Sequence, residues 1–328
     1  MNVLITGGAG FIGSHLAEAT LDRGDSVIVV DDLSTGSLDN IAHLQSRRGS
    51  FQFIRESVCN ESAMADPVSR CDVIFHLAAA VGVRLIADDP VRTIETNIHG
   101  SQVVMKLANR FARKVVVASS SEAYGKNTKT PFHEDDDTTL GSTRFSRWSY
   151  ACSKIAEEFL ALAYHDEFGL PVVICRLFNT IGPRQTGQYG MVVPRFIRWA
   201  LANQPIQIYG TGRQSRCFTH VADVVDALVR LVDCDQAVGE VVNIGSGESV
   251  TIEALADMII RMTGSTGGKR YVSYEAAYGR PMDDMLVRVP DLSKIKKLVG
   301  FQPKYTLAQT LQEIIDYEKS RIEADKDV

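Results

Sequence analysis

The sequence predicts an α/β fold: a doubly wound parallel sheet with a smaller C-terminal α/β lobe. Three observations carry that prediction. Short β-branched runs alternate with helical stretches through the first half, the first run meets its helix through glycines, and after Arg176 the rhythm breaks into Gly- and Pro-punctuated pieces. In chain order, buried strands are expected at residues 3–6, 26–31, 51–54, 73–77, 114–119 and 172–176. Helices are expected at 11–23, at 90–110, where apolar residues recur at helical spacing, and at 146–168, which stops before Gly169-Leu170-Pro171. Further helices are expected at 192–202, 222–232, 252–262 and 307–319. Residues 1–178, with a return segment at about 217–245, are expected to form the sheet domain, and 179–216 with 246–328 the lobe. Runs 135–137 and 264–268 suit surface loops.

With 328 residues, 45% hydrophobic and 23% charged, the chain is long enough for one large α/β unit or two domains sharing a core. A disulfide miniprotein, a collagen-like chain and a disordered tail are excluded. Lys and Arg number 35 against 40 Asp and Glu, a net charge of −5 without a basic block, so nucleic acid is not expected as a partner. Six scattered cysteines without a CxxC pair suit reduced thiols in a cytoplasmic setting, with no metal site. The N-terminus shows no basic leader, and nowhere do about 18 apolar residues run together, so no membrane association is expected.

Gly7-Gly8-Ala9-Gly10-Phe11-Ile12-Gly13 falls between the first strand and the first helix. Glycines there permit a tight turn, let a pyrophosphate approach the backbone and allow close helix–strand packing, a Rossmann-like arrangement. By themselves they also suit an ordinary βα turn. Asp31 ends the second strand, where a carboxylate suits a ribose diol and repels a 2′-phosphate; no Lys or Arg follows until Arg47, which favours NAD over NADP. Asp31 and Asp32 as mere loop caps are the plainer alternative. Tyr150 and Lys154 share a helical face, so the ammonium is expected to lower the phenol pKa and make Tyr150 a base near neutrality. The plainer reading is a half-buried Tyr and a snorkelling Lys. Ser119-Ser120-Ser121, following the fifth strand at the carboxyl edge of the sheet, favours the catalytic one.

The GxxGxxG spacing, His76-Leu77-Ala78-Ala79, Asn97, the three serines and Tyr150-x-x-x-Lys154 together resemble the extended short-chain dehydrogenase/reductase superfamily of NAD-dependent nucleotide-sugar epimerases, dehydratases and decarboxylases. The resemblance runs through nearly the whole chain, including Arg176-Leu177-Phe178-Asn179, Val193-Pro194-Arg195-Phe196, Arg216-x-Phe218 and Asn243-Ile244-Gly245. It implies NAD contacts from Gly7, Gly10, Phe11, Ile12, Gly13, Asp31, Asp32, Ser34, Thr35, Gly36, Val58, Leu77, Ala78, Ala79, Asn97 and Lys154. Where the superfamily has Gly-Asp-Ile/Val after the third strand, this chain has Glu56-Ser57-Val58, leaving Ser57 to meet adenine.

The branch is read from Ser121-Glu122. Superfamily 4,6-dehydratases have an Asp where Ser121 stands, and 4-epimerases a small residue where Glu122 stands, whereas the Ser-Glu pair resembles the UDP-glucuronate decarboxylases. Arg147-Trp148-Ser149-Tyr150 resembles the lipid A-modifying decarboxylase domain and UDP-apiose/UDP-xylose synthase, and Arg288-Val289-Pro290 the decarboxylases' Arg-x-Pro segment. The resemblance implies that Tyr150 is base and then acid, that Lys154 orients the ribose, and that Ser120 or Ser121 bonds the sugar 4-oxygen. Glu122 and Arg288 would manage the C5 side; a loop cap and a surface ion pair are their plainer readings. Arg184, Arg195, Arg216 and Arg280 are candidate phosphate partners. By resemblance Asn179 and Arg216 meet the diphosphate, Val193, Gln207 and Tyr209 lie by uracil, and Asp284 holds its ribose. The helices at 90–110 and 146–168 are expected to pair across a homodimer, with Val103, Val104, Phe159, Leu162 and Tyr164 supplying apolar surface. The expected reaction is UDP-glucuronate to UDP-xylose and CO₂, with a UDP-sugar 4-epimerase, a 4,6-dehydratase and a silent NAD-binding protein as alternatives in that order.

Overall fold

The β-branched runs become strands and the periodic stretches helices, within a residue or two of expectation for most of them, in a computed structural model that describes residues 1–47, 49–279 and 283–324. The first half reads β1 (Asn2–Thr6), α1 (Phe11–Asp22), β2 (Ser26–Asp31), β3 (Phe51–Arg55), α2 (Glu61–Arg70), β4 (Val73–His76), α3 (Val83–Asp88), α4 (Pro90–Phe111), β5 (Lys114–Ser120), α5 (Arg147–Phe168) and β6 (Val172–Leu177). There follow β7 (Thr180–Ile181), α6 (Val192–Leu201), β8 (Ile206–Tyr209), β9 (Ser215–Cys217), β10 (Thr219–His220), α7 (Val221–Val232), β11 (Val241–Ile244), β12 (Ser249–Thr251), α8 (Ile252–Thr263), β13 (Lys269–Val272), α9 (Tyr274–Tyr278), β14 (Val287–Arg288), α10 (Ser293–Val299) and α11 (Leu307–Ala324).

Seven strands form a parallel sheet in the order β11-β6-β5-β4-β1-β2-β3. Side chains alternate across it. Val3, Ile5, Val27 and Val29 join a core with α1 and α7, whereas Leu4, Ile28 and Val30 join a second core under α2 and α4. A third core of Ile181, Val193, Phe196, Ile208, Leu255 and Leu311 holds the lobe together. Strand order reverses between β1 and β4, which opens a crevice at their carboxyl ends, the usual ligand position in such sheets.

The two long helices end where the sequence punctuates them. Asp89 accepts the Arg92 N–H at 3.3 Å ahead of Pro90, the first residue of α4. Gly169 closes α5 in the left-handed region at φ 70°. Two expectations change here. Val103 and Val104 are fully buried against the sheet and supply no outward surface, and Leu162 and Tyr164 pack partly against the same core. The large apolar residues exposed on α4 and α5 are Val91, Ile94, Phe159 and Phe168, with Phe159 71% and Val91 64% exposed. Cys71, Cys175 and Cys217 are buried, Cys152 is exposed, and all six cysteines are free. Among the described residues no helix is long and apolar enough to cross a membrane.

Candidate active site

The turn between β1 and α1 leaves no room for side chains. A Cβ on Gly13 would sit 2.3 Å from the Gly7 carbonyl, and one on Gly7, at φ +72°, 2.8 Å from the Ala78 nitrogen. The Asp31 carboxylate accepts the N–H of Ala9 at 2.9 Å and of Leu33 at 2.8 Å, which fixes it beside this turn. Burial pushes its pKa up, and those two N–H groups oppose the shift. A cavity of about 1440 Å³ starts here and runs over the carboxyl ends of the strands into the lobe. That exceeds the roughly 300–1,000 Å³ of a single-ligand pocket and suits a dinucleotide plus a second nucleotide.

Its near wall includes Gly7, Gly10, Phe11, Ile12, Gly13, Asp31, Asp32, Ser34, Thr35, Gly36, Val58, Leu77, Ala78, Ala79 and Lys154. The side-chain-free turn at the N-terminus of α1 fits a dinucleotide pyrophosphate. Ser57 and Asn97 do not line the cavity as expected. The Ser57 hydroxyl is taken up by the Cys59 N–H at 3.2 Å, while Glu56 and Val58 on either side reach the wall. Asn97 stands behind the wall, accepting the Ala80 N–H at 2.7 Å and donating to the Ser153 hydroxyl at 3.1 Å.

Tyr150 and Lys154 project from the first turns of α5 beneath Ser119-Ser120-Ser121, which reach the cavity from the end of β5. Ser120 is the serine that bears on the Tyr150 phenol, pulling its pKa down. Lys154 donates to the Ala118 carbonyl at 2.8 Å and to Glu157 at 2.7 Å. Behind it His76, 3.3 Å from Glu157, is pushed down to about 4 by burial and is therefore neutral. The expected lowering of the phenol pKa is not what the protein alone provides. Burial pushes Tyr150 up, Lys154 pulls it down, and the charges of Glu122 and, less, Glu157 oppose that pull.

On the other side of the serines lies a chain of five charged groups, three buried arginines and two half-buried carboxylates. Arg288 pairs with Glu122 at 2.8 Å and donates to the Ser121 hydroxyl at 3.3 Å. Glu122 also pairs with Arg147 at 3.1 Å, Arg147 with Asp284 at 3.0 Å, and Asp284 with Arg216 at 2.9 Å. Tyr274 donates to the second Asp284 oxygen at 2.7 Å. Burial pushes the Glu122 carboxyl up, but Arg147 and Arg288 outweigh it and hold the group below its ordinary value. Arg216 is lowered to about 10 by burial and by Arg288, so it stays protonated at neutral pH.

At the far end Arg195 lies between the rings of Trp199 and Tyr209, 4.9 and 4.5 Å from their centroids, and Tyr278 meets Tyr209 edge-on. Val193 and Gln207 line the same wall. Asn179 also lines the cavity, its side-chain amide held by the Cys217 carbonyl at 2.9 Å. Arg184 faces the cavity but is paired with Glu18 on α1 at 2.8 Å, so it ties lobe to sheet. Arg280 lies outside the described residues.

The profile of the GDP-mannose 4,6 dehydratase family matches residues 4–314. The chain belongs to that family. Among curated relatives, this member of the GDP-mannose 4,6 dehydratase family is 41% identical over 315 residues to the UDP-N-acetyl-alpha-D-glucosaminuronate decarboxylase of Bacillus cytotoxicus, with 96% of each chain covered. It is 33% identical over 324 residues to UDP-glucuronic acid decarboxylase 1 of Arabidopsis thaliana, covering 98% of this chain and 71% of the relative. Among solved structures it matches the UDP-glucuronic acid 4-epimerase of Bacillus cereus in complex with UDP-glucuronic acid and NAD, at TM-score 0.87 and 30% identity, covering 98% of this chain and 100% of that one. The extended short-chain dehydrogenase/reductase resemblance, the Rossmann-like sheet and the assignment as an enzyme thus stand together for this family member.

Sequence reasoning missed three features of the site. Glu157 bears directly on Lys154 and has the i,i+3 spacing that signals it. Tyr274 and Tyr278, one helical turn apart on α9, reach the cavity together. Asp284, expected at a ribose, is engaged by two arginines, a pairing between distant segments that spacing does not signal.

Proposed function

We propose that this enzyme decarboxylates a UDP-linked hexuronate, UDP-glucuronate to UDP-xylose and CO₂, with NAD held in the glycine-lined half of the cavity. The observation that carries the reading is the pairing of Glu122 with Arg288 beside Ser121, across the serines from Tyr150. Two relatives named as UDP-hexuronate decarboxylases, at 41% and 33% identity, support it.

When bound, NAD supplies a reversible hydride acceptor, which turns the sugar's C4 alcohol into a transient ketone. Tyr150 takes the proton from the 4-hydroxyl, and the Ser120 hydroxyl hydrogen-bonds the 4-oxygen. Lys154, fixed by Ala118 and Glu157, orients the nicotinamide ribose. With C4 a ketone, the C6 carboxylate is β to a carbonyl. The C5–C6 bond pair moves into an enolate whose charge collects on the 4-oxygen, and CO₂ departs. Donors at that oxygen stabilise the enolate, C5 takes up one proton, and C4 reduction with return of the Tyr150 proton closes the cycle. The sum is UDP-glucuronate plus one proton giving UDP-xylose plus CO₂, without net redox change. Val193, Gln207, Tyr209 and the Arg195 stack suit the uracil end, and Asn179 with Arg216 the diphosphate.

The 41% relative is named for the 2-acetamido sugar, so both hexuronates belong in the test. Purified protein with NAD and either UDP-hexuronate is expected to release CO₂ and give a product lighter by that mass. An unchanged mass with a new stereoisomer would replace this reading by a 4-epimerase. In the same reading the 1–178 and 217–245 segments serve the cofactor and the remainder the UDP-sugar. The free cysteines suit a cytoplasmic enzyme.

The enzyme works as a homodimer in this reading, with Val91, Ile94 and Phe159 as the apolar centre of the α4–α5 face. Phe159→Asp is expected to convert a dimer of about 72 kDa into the 36.0 kDa chain in light scattering. A wild-type monomer at the same concentration would reject the dimer.

A further inference from the structure

Among the described residues the chain of charges beside the serines does not balance. Arg147, Arg216 and Arg288 face Glu122 and Asp284, all five lining the cavity. Burying an uncompensated cation is costly unless an anion joins it. Two further observations bear on where the surplus lies. The Nε groups of Arg147 and Arg288 have no hydrogen-bond partner among the described residues, although both side chains are more than nine-tenths buried. Lys154, on the Tyr150 side of the serines, is matched by Glu157 and contributes no surplus.

Arg147 occupies the middle of the chain. One guanidinium nitrogen meets Glu122 and the other Asp284, so it separates the two carboxylates while supplying the charge that leaves the cluster one unit positive. Without it, two cations would face two anions and a carboxylate arriving at C5 would meet a neutral wall. We propose that Arg147 is the specificity-determining residue that makes this site select a sugar bearing a carboxylate at C5 over a neutral hexose. The inference rests on the decarboxylase reading and names how that site recognises its substrate.

The test compares UDP-glucuronate with UDP-glucose, which share the nucleotide and diphosphate and differ at C6. Affinities are measured calorimetrically on NAD-loaded protein carrying Tyr150→Phe, so that no turnover occurs. Adding Arg147→Met is expected to lower the UDP-glucuronate to UDP-glucose affinity ratio about tenfold or more, as for loss of a charge-assisted partner. UDP-glucose affinity is expected to stay within about threefold. Arg147→Lys, which keeps the charge, is expected to retain most of the ratio. The double change Arg147→Met with Glu122→Gln leaves Arg216 and Arg288 against Asp284, restores the single surplus charge, and is expected to recover the ratio.

Equal weakening of both ligands would mean that Arg147 only supports the fold and would overturn the proposal, as would a double variant no better than Arg147→Met. Should Arg147→Met fail to fold, as its melting curve would show, Arg147→Gln, which removes the charge but keeps hydrogen-bond donors, takes its place in both the single and the double variant. Failure of the decarboxylase reading looks different: the Tyr150→Phe protein then shows no preference for UDP-glucuronate, and wild type releases no CO₂ from it.

Discussion

Tyr150→Phe is expected to lower the decarboxylation rate about 10³-fold or more, with NAD binding unchanged. The magnitude is that of a positioned general base, about 10² to 10⁴, at its upper end because the mechanism gives Tyr150 both the removal of the proton and its return. Phenylalanine keeps the ring, which is buried at 7% exposure, so packing and fold are retained. Lys154 stays anchored by Ala118 and Glu157, so the half of the cavity that takes the dinucleotide is undisturbed. The reacting form of Tyr150 is the base, so the wild-type rate climbs as pH rises through its titration, and that climb disappears in the variant. CO₂ release across pH, with cofactor retention measured by fluorescence, checks both parts. A tenfold loss or less would move the base elsewhere.

What could be read ahead of the structure were features fixed by local geometry. The glycine turn is one: close contacts at Gly7 and Gly13 follow from a strand, a turn and a helix in immediate succession. Tyr150 and Lys154 are another, because helical spacing alone puts them on one face. Residues that depend on which distant segments meet were harder. Glu122, Arg147, Asp284 and Arg288 come from three separate stretches of chain, and the alternation of charge along them exists only once β14 lies parallel to β9 and the start of α5 faces the serines. The direction of the Tyr150 shift differs from expectation for a related reason: sequence shows the neighbouring ammonium but neither the burial around the phenol nor the approach of Glu122 from a distant segment. Ser57 and Asn97 are read by position, and the structure has Ser57 bonding its own loop and Asn97, on α4, bonding the Ala80 backbone and Ser153.

The fold also holds the catalytic helix in place from behind. Arg176 on β6 donates three hydrogen bonds to Glu158 on α5, at 2.7 to 3.2 Å, and Ser119 donates to the same carboxylate. The strand end carrying the serines and the helix carrying Tyr150 are thereby clamped together. The opposing electrostatic choice is made on the cavity side, where Glu122 faces an incoming substrate carboxylate rather than a structural partner alone.

Glu122→Gln is therefore expected to lower kcat about 100-fold while KM for UDP-glucuronate falls rather than rises. Glu122 is held ionised by Arg147 and Arg288 and occupies both guanidinium groups. Its negative charge disfavours the substrate carboxylate and so favours the change that removes it, loss of CO₂. Glutamine leaves three arginines facing Asp284 alone, and the freed guanidinium of Arg288 then binds the carboxylate in place of Glu122. Tighter binding of the ground state with a slower step is the kinetic signature of lost ground-state destabilisation. The 4-keto hexuronate is expected to accumulate, since Tyr150, Lys154 and Ser120 are untouched, and rapid-quench mass analysis detects it. A rise in KM in parallel with the fall in kcat would instead assign Glu122 to substrate binding, and an unchanged kcat would remove it from the decarboxylation step.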